Sequence, residues 1–143
     1  MNEKLLKEKA ESYLACYNGQ CPRREHCLHW IVGPYVPENL LTKECVNVTN
    51  AQMRAGRCFF YRPDTLRRMK RGMLNFYEEM PRRVAVGVKK QLEATYGHTT
   101  YYAYRNGKLP ITPEMQEQIA QVCREHGWNE PPVYDAETEE FDW

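Results

Sequence analysis

Five of the six cysteines in this 143-residue chain fall inside one short window, at Cys16, Cys21, Cys27, Cys45 and Cys58. The loops between them hold four, five, seventeen and twelve residues. Thiols this dense serve a metal, a disulfide framework or redox chemistry, and each use dictates how the backbone around them must turn. The N-terminus, Met1 to Lys9, is charged and has no apolar stretch of the kind a secretory signal needs. A cytoplasmic, reducing setting is therefore expected, and structural disulfides are rare there. A metal becomes the favoured reading, with buried free thiols as the plain alternative.

Four sulfurs can surround zinc tetrahedrally only if the chain between them bends. Gly19, Pro22 and Gly56 supply such bends. The expected ligands are Cys16, Cys21, Cys27 and Cys58. Cys45 opens Cys45-Val46-Asn47-Val48-Thr49, an alternating stretch that reads as a short strand and suits a buried cysteine. His26 and His29 stand in reserve, since mixed Cys/His zinc sets are common. Zinc is the expected cofactor because small cytosolic segments use it to hold irregular backbone together. An iron–sulfur cluster is the alternative, to which four cysteines with Cys21-Pro22 are also suited. No Cys-x2-Cys knuckle is present to narrow the choice.

Charge is unevenly spread behind a net value of +1. Residues 1–58 carry eight Lys/Arg against six Asp/Glu, residues 59–110 eleven against four, and residues 111–143 one against nine. A basic block predicts a polyanion partner, and the acidic segment a device that limits promiscuity. No apolar run approaches the ~20 residues needed to cross a bilayer, so no membrane is expected.

Helical signals dominate the rest. Leu5, Leu6, Ala10, Tyr13 and Leu14 form a stripe that predicts a helix over 3–15. From Pro63, Leu66, Met69, Met73, Phe76 and Met80 recur at helical spacing opposite Arg67, Arg68, Lys70 and Arg71. Pro81 opens the next helix, with Val84, Val88 and Leu92 inward, and Gly97 ends it. A short helix from Thr99 to Arg105 closes at Asn106-Gly107. Thr112-Pro113-Glu114 opens the last, as N-cap, first-turn proline and dipole-matched acid. Ile119, Val122 and Cys123 give its buried side, and Gly127 stops it. The expected fold is mainly α: a small helical bundle behind an irregular Cys-rich, metal-stabilised N-terminal segment. Its expected divisions are 1–58, a basic helical region 59–128, and an acidic, extended tail 129–143.

Residues 82–126, with Gly97-His98-Thr99-Thr100-Tyr101-Tyr102-Ala103-Tyr104-Arg105-Asn106-Gly107-Lys108 at their centre, resemble the helix-turn-helix of phage-repressor-type regulators. There a Ser/Thr-rich recognition helix is followed by an Asn-Gly-Lys turn and a helix opening in Pro-Glu. The resemblance implies that His98, Thr99, Thr100, Tyr102 and Arg105 reach bases, and that Arg82, Lys89, Lys90 and Lys108 neutralise phosphates. The chain departs from that pattern in its aromatic short helix, where Tyr101, Tyr102 and Tyr104 must be shared between core and surface. The final helix is acidic, so only one side of the unit can face a polyanion. The whole chain is also similar to a family of small uncharacterised bacterial proteins that share the early cysteines, a Met-rich basic helix and the Tyr-Arg-Asn-Gly segment.

The expected function is cytosolic nucleic-acid binding, to double-stranded DNA, in a transcriptional regulator whose metal is structural. A protein-binding adaptor, docking through the acidic tail or the Met-rich helix, is one alternative. An iron–sulfur or thiol redox sensor is another. No phosphate loop, nucleophile–histidine–acid order or paired carboxylates mark an enzyme.

Overall fold

The computed structural model describes residues 1–54 and 57–143. The chain falls into two compact units, residues 1–65 with 141–143, and residues 66–140.

In the first unit, α1 (Glu3–Ala10) is capped by Asn2, whose side chain accepts from the Lys4 amide at 2.9 Å. Leu6 and Ala10 are its buried side. The stripe that predicts a helix to residue 15 ends early because residues beyond Ala10 have other partners. The Ala15 amide donates to the Glu44 carbonyl and the Cys16 amide to that of His29, at 3.3 and 2.8 Å. Two one-turn helices follow, α2 (Leu28–Ile31) and α3 (Ala51–Arg54), with 3-10 turns at Arg24–His26 and Gly33–Tyr35. Isolated bridges join Ala15 to Cys45 and Cys27 to Pro63. The core is small: Ala10, Ala15 and Val32, flanked by Tyr13, Tyr35 and Val36.

The second unit holds β1 (Leu66–Arg71), α4 (Arg82–Tyr96), α5 (His98–Arg105), α6 (Pro113–Glu125) and β2 (Ala136–Phe141, its last residue clustering with the first unit). The strands form an antiparallel two-stranded sheet. The three helices follow the expected sequence signals: Thr112 accepts from the Met115 amide at 3.3 Å, and Pro113 occupies the first turn. Gly97 joins α4 to α5 at φ 81, ψ 154, backbone that only glycine adopts readily. Met73, Phe76, Met80, Val88, Leu92, Tyr101, Ile111, Ile119 and Cys123 make one continuous core.

The fold is thus a small mixed α/β one, and the expectation of a mainly α bundle is corrected. Residues 66–71 are a strand followed by turns, not the start of a helix. In a helix, Arg67, Lys70 and Arg71 would lie three or four residues apart and repel, each pair costing a few tenths of a kcal/mol. As a strand they meet acids, and the Lys70 amide and carbonyl pair with Ile111 at 3.0 and 2.8 Å. Residues 136–141 are the partner strand, not a free tail. The metal-stabilised front is corrected as well. No group of three or more His, Cys, Asp or Glu among the described residues is placed to hold a single metal ion. That segment is held by its bridges and by His29, buried and stacked on Tyr13 with ring centroids 4.5 Å apart. No helix among the described residues is long and apolar enough to cross a membrane.

Candidate functional site

α5 is the short helix of the second unit, with α4 packed on both it and α6. One of its sides enters the core through Tyr101, whose hydroxyl lies 2.9 Å from that of Tyr77. Burial raises both phenols' pKa values, so both rings are neutral at physiological pH. The other side presents His98 and Thr99 to solvent, with Tyr102 half-buried beside them and Thr100 partly covered.

Tyr102 is the hub of this side. The His98 ring lies 4.7 Å from it. The Lys89 amine, reaching from α4, sits 5.6 Å from its centroid, and the Arg105 guanidinium 5.8 Å away. The nearby Tyr102 hydroxyl is the main reason the Lys89 amine holds its proton above the ordinary lysine range. Arg105 is half-buried and its Nε is enclosed without a hydrogen-bond partner among the described residues. Its stem therefore packs as well as placing charge. Arg82, Lys90 and Lys108 are exposed and have no ion-pair partner among the described residues. From Arg82 to Lys108 there are six Lys/Arg and one acid, Glu93. That carboxylate lies 3.5 Å from His98 Nδ1.

The cations of β1 are arranged differently. Arg67 pairs with Glu114 and Lys70 with Glu137. Arg71 makes a two-pronged contact with Glu140, Nε at 2.8 Å and Nη2 at 2.6 Å, while its Nη1 donates to the Gly107 carbonyl at 2.9 Å. Residues 66–140 contain eleven Lys/Arg and eleven Asp/Glu, so the unit is neutral as a whole. Acids pair with three of the four cations of β1, Arg68 excepted, while Lys89 and Arg105 lie beside Tyr102 on α5. The sequence reading missed these cross-strand pairs. The matching density of charge in 67–71 and 137–140 was the available signal.

In the first unit, Cys16, Cys21, Cys27 and Cys58 all line one cavity of about 570 Å³. Cys45, exposed and bridged to Ala15, does not line it, and neither do His26 or His29. His26 faces Asp64 at 3.5 Å, and His29 is committed to the Leu14 carbonyl (2.6 Å) and the Tyr13 hydroxyl (3.2 Å). Gly56, expected to ease Cys58 back toward the others, lies outside the described residues. Burial raises the Cys16 pKa, the Asn18 amide donating to its sulfur lowers it, and Cys27, Cys58 and Cys21 raise it again as like charges. Arg23, Arg24, Trp30 and Tyr61 also form the walls. Irregular backbone hid these four from sequence reasoning.

Comparison with known proteins adds a family without an activity. The chain belongs to the family of unknown function DUF6078. The family matches residues 1–143, so both the thiol-rich front and the helical unit belong to its shared architecture. No curated protein and no solved structure matches the chain.

Proposed function

We propose that this protein binds nucleic acid, double-stranded DNA in the first instance, through the exposed side of α5 and the adjoining cations of α4 and the Asn106-Gly107-Lys108 turn. One observation carries the reading: acids pair with Arg67, Lys70 and Arg71, three of the four cations of β1, while Lys89, Arg105 and His98 gather on Tyr102 and Arg82, Lys90 and Lys108 are exposed without an ion pair among the described residues. A short helix held by two longer ones can enter the major groove, with cations beside it on phosphates. Arg105 can fork onto a guanine, and the polar His98 and Thr99 side chains can reach neighbouring base edges. A transcriptional regulator in the cytoplasm is the role this would serve.

The adaptor alternative finds less support. Met69, Met73 and Met80 are buried, and residues 136–141 are paired in the sheet. The nucleic-acid reading is therefore preferred.

Fluorescence anisotropy with a mixed-sequence DNA duplex, at low and near-physiological salt, tests it. Binding should weaken steeply as salt rises. Lys90→Ala with Lys108→Ala should flatten the dependence of log K on log salt by about 2, since each phosphate contact contributes about 0.9. Arg105→Met retains most of the stem packing and removes the charge, so it should relax base preference while the fold persists by circular dichroism. Absence of binding even at low salt would refute the proposal.

A further inference from the structure

Four thiols from separate stretches of irregular chain converge on one cavity in the first unit, and the two cysteines outside that set stay out of it. Cys45 is exposed, and Cys123 is buried in the core of the second unit. The cavity is far larger than the ~30 Å³ share of a single water, which is also more than one bare ion fills. No three of its donors among the described residues are drawn together around a single ion.

The walls match a bound anionic thiolate assembly. Arg23, though exposed, lies 4.1 Å from the Tyr61 ring, and Arg24, 3.7 Å from Glu25, lies 5.5 Å from the Trp30 ring, so each guanidinium rests on an aromatic wall of the cavity. Arg24 also donates to the Gly19 carbonyl, which pins the loop between Cys16 and Cys21. Val48, Met53, Trp30 and Tyr61 supply an apolar surround. These two cations offset part of the charge that several thiolates carry once deprotonated.

We propose that Cys16, Cys21, Cys27 and Cys58 together ligate an iron–sulfur cluster in this cavity, each sulfur binding iron as a thiolate after losing its proton to solvent. A cluster spreads its four cysteine ligands around several iron and sulfide atoms, so each sulfur binds its own edge of the cluster and the four stand apart around a shared cavity. A lone zinc ion would require them about 2.3 Å from one point. The proposal stands on the first unit alone and does not depend on nucleic-acid binding.

Anaerobic incubation of the full chain with ferric iron, sulfide and a dithiol that reduces the surplus ferric iron, followed by desalting, provides the test. Iron and sulfide should be retained in equal amounts, with visible charge-transfer absorbance. Alkylation mapped by mass spectrometry should then show Cys16, Cys21, Cys27 and Cys58 protected and Cys45 modified. Cys16→Ser and Cys58→Ser should each lose the absorbance, while Cys45→Ser and Cys123→Ser retain it. Circular dichroism identifies any variant lost to misfolding, and the protection map on the parent chain stands without the variants. No retained iron, or equal loss in Cys45→Ser, would overturn the proposal. One zinc per chain without sulfide, protecting the same four thiols, would overturn the cluster in favour of a single ion.

Discussion

Gly72 ends β1 where the sheet is anchored, and replacing it with alanine should destabilise the second unit on two separate grounds. Its φ is +77°, so any Cβ there sits in left-handed backbone, at about 1–2 kcal/mol. That Cβ would also lie 2.3 Å from Asp135 Oδ2, 2.9 Å from Asp135 Cβ and 3.0 Å from its Cγ. Turning the carboxylate away clears the first contact and not the second. The Asp135 side chain is also committed, accepting from the Leu74 amide at 2.8 Å and the Asn75 amide at 3.0 Å. Forcing atoms into occupied space adds about 1–3 kcal/mol, so the total is about 2–5 kcal/mol. For a unit of this size that lowers the melting temperature by at least about 8 °C. Thermal melts by circular dichroism give the value directly. The cost of Gly72→Ala should shrink in an Asp135→Gly background, because only the backbone strain remains. Gly97→Ala supplies the contrast: nothing lies within 4 Å of its Cβ, so its cost of about 1–3 kcal/mol is conformational and indifferent to Asp135. A Gly72→Ala melt superimposable on the parent, or the same cost in both backgrounds, would refute this reasoning.

Three further outcomes are expected. Tyr77→Phe leaves the buried Tyr101 hydroxyl without its 2.9 Å partner, and should cost about 1–3 kcal/mol in urea unfolding; an unchanged midpoint would show that water replaces it freely. Burial is the main reason the His29 pKa lies below its ordinary 6.5, so the unfolded chain takes up a proton there before the folded one does. The stability this neutral ring provides is complete above pH 6.5 and is lost as pH falls below 6.5 toward the depressed value; the urea midpoint should drop between pH 7.5 and 5.5 and drop less in His29→Gln, and equal drops would count against it. Burial also pushes the Cys123 thiol up to about 11, so iodoacetamide at pH 8 should modify exposed Cys45 first and Cys123 last; early modification of Cys123 would show that its pocket opens.

Local chemistry was legible wherever a local signal decided the structure. Thr112-Pro113-Glu114 starts a helix because a hydroxyl, a fixed φ and an acid at the positive dipole end all act within one turn. Gly97 and Asn106-Gly107 bound α5 for equally local reasons. Residues 66–80 read as a helix because Met69, Met73, Phe76 and Met80 are buried at helical intervals, yet the chain between them is strand and turn. Leu66, the first member of that stripe, is 57% exposed, a departure the interval alone does not reveal. What decides the strand is remote: Ile111 on one edge and residues 136–141 on the other. The four cysteines of the cavity could be chosen from spacing and turn residues, whereas Arg23, Arg24, Trp30 and Tyr61 around them depend on how an irregular segment folds back.

The distribution of charge follows the same division between local and remote causes. Read linearly, a strongly basic middle precedes an acidic end, which suggests one broad cationic surface and a mobile competitor. Folding cancels the two where they pair in the sheet. Exposed ion pairs of this kind contribute little stability each, so their chief effect is on where positive potential remains. Arg71 loses its claim on a phosphate because Glu140 already holds it in a two-pronged contact and the Gly107 carbonyl takes a further N–H. Lys90 and Lys108 keep theirs, being exposed and outside any ion pair among the described residues. The acidic strand therefore acts as a filter on the basic segment: it takes Lys70 and Arg71 of β1 from competition, as Glu114 takes Arg67, and leaves Arg68 and the cations around α5 to determine how an anionic polymer is approached.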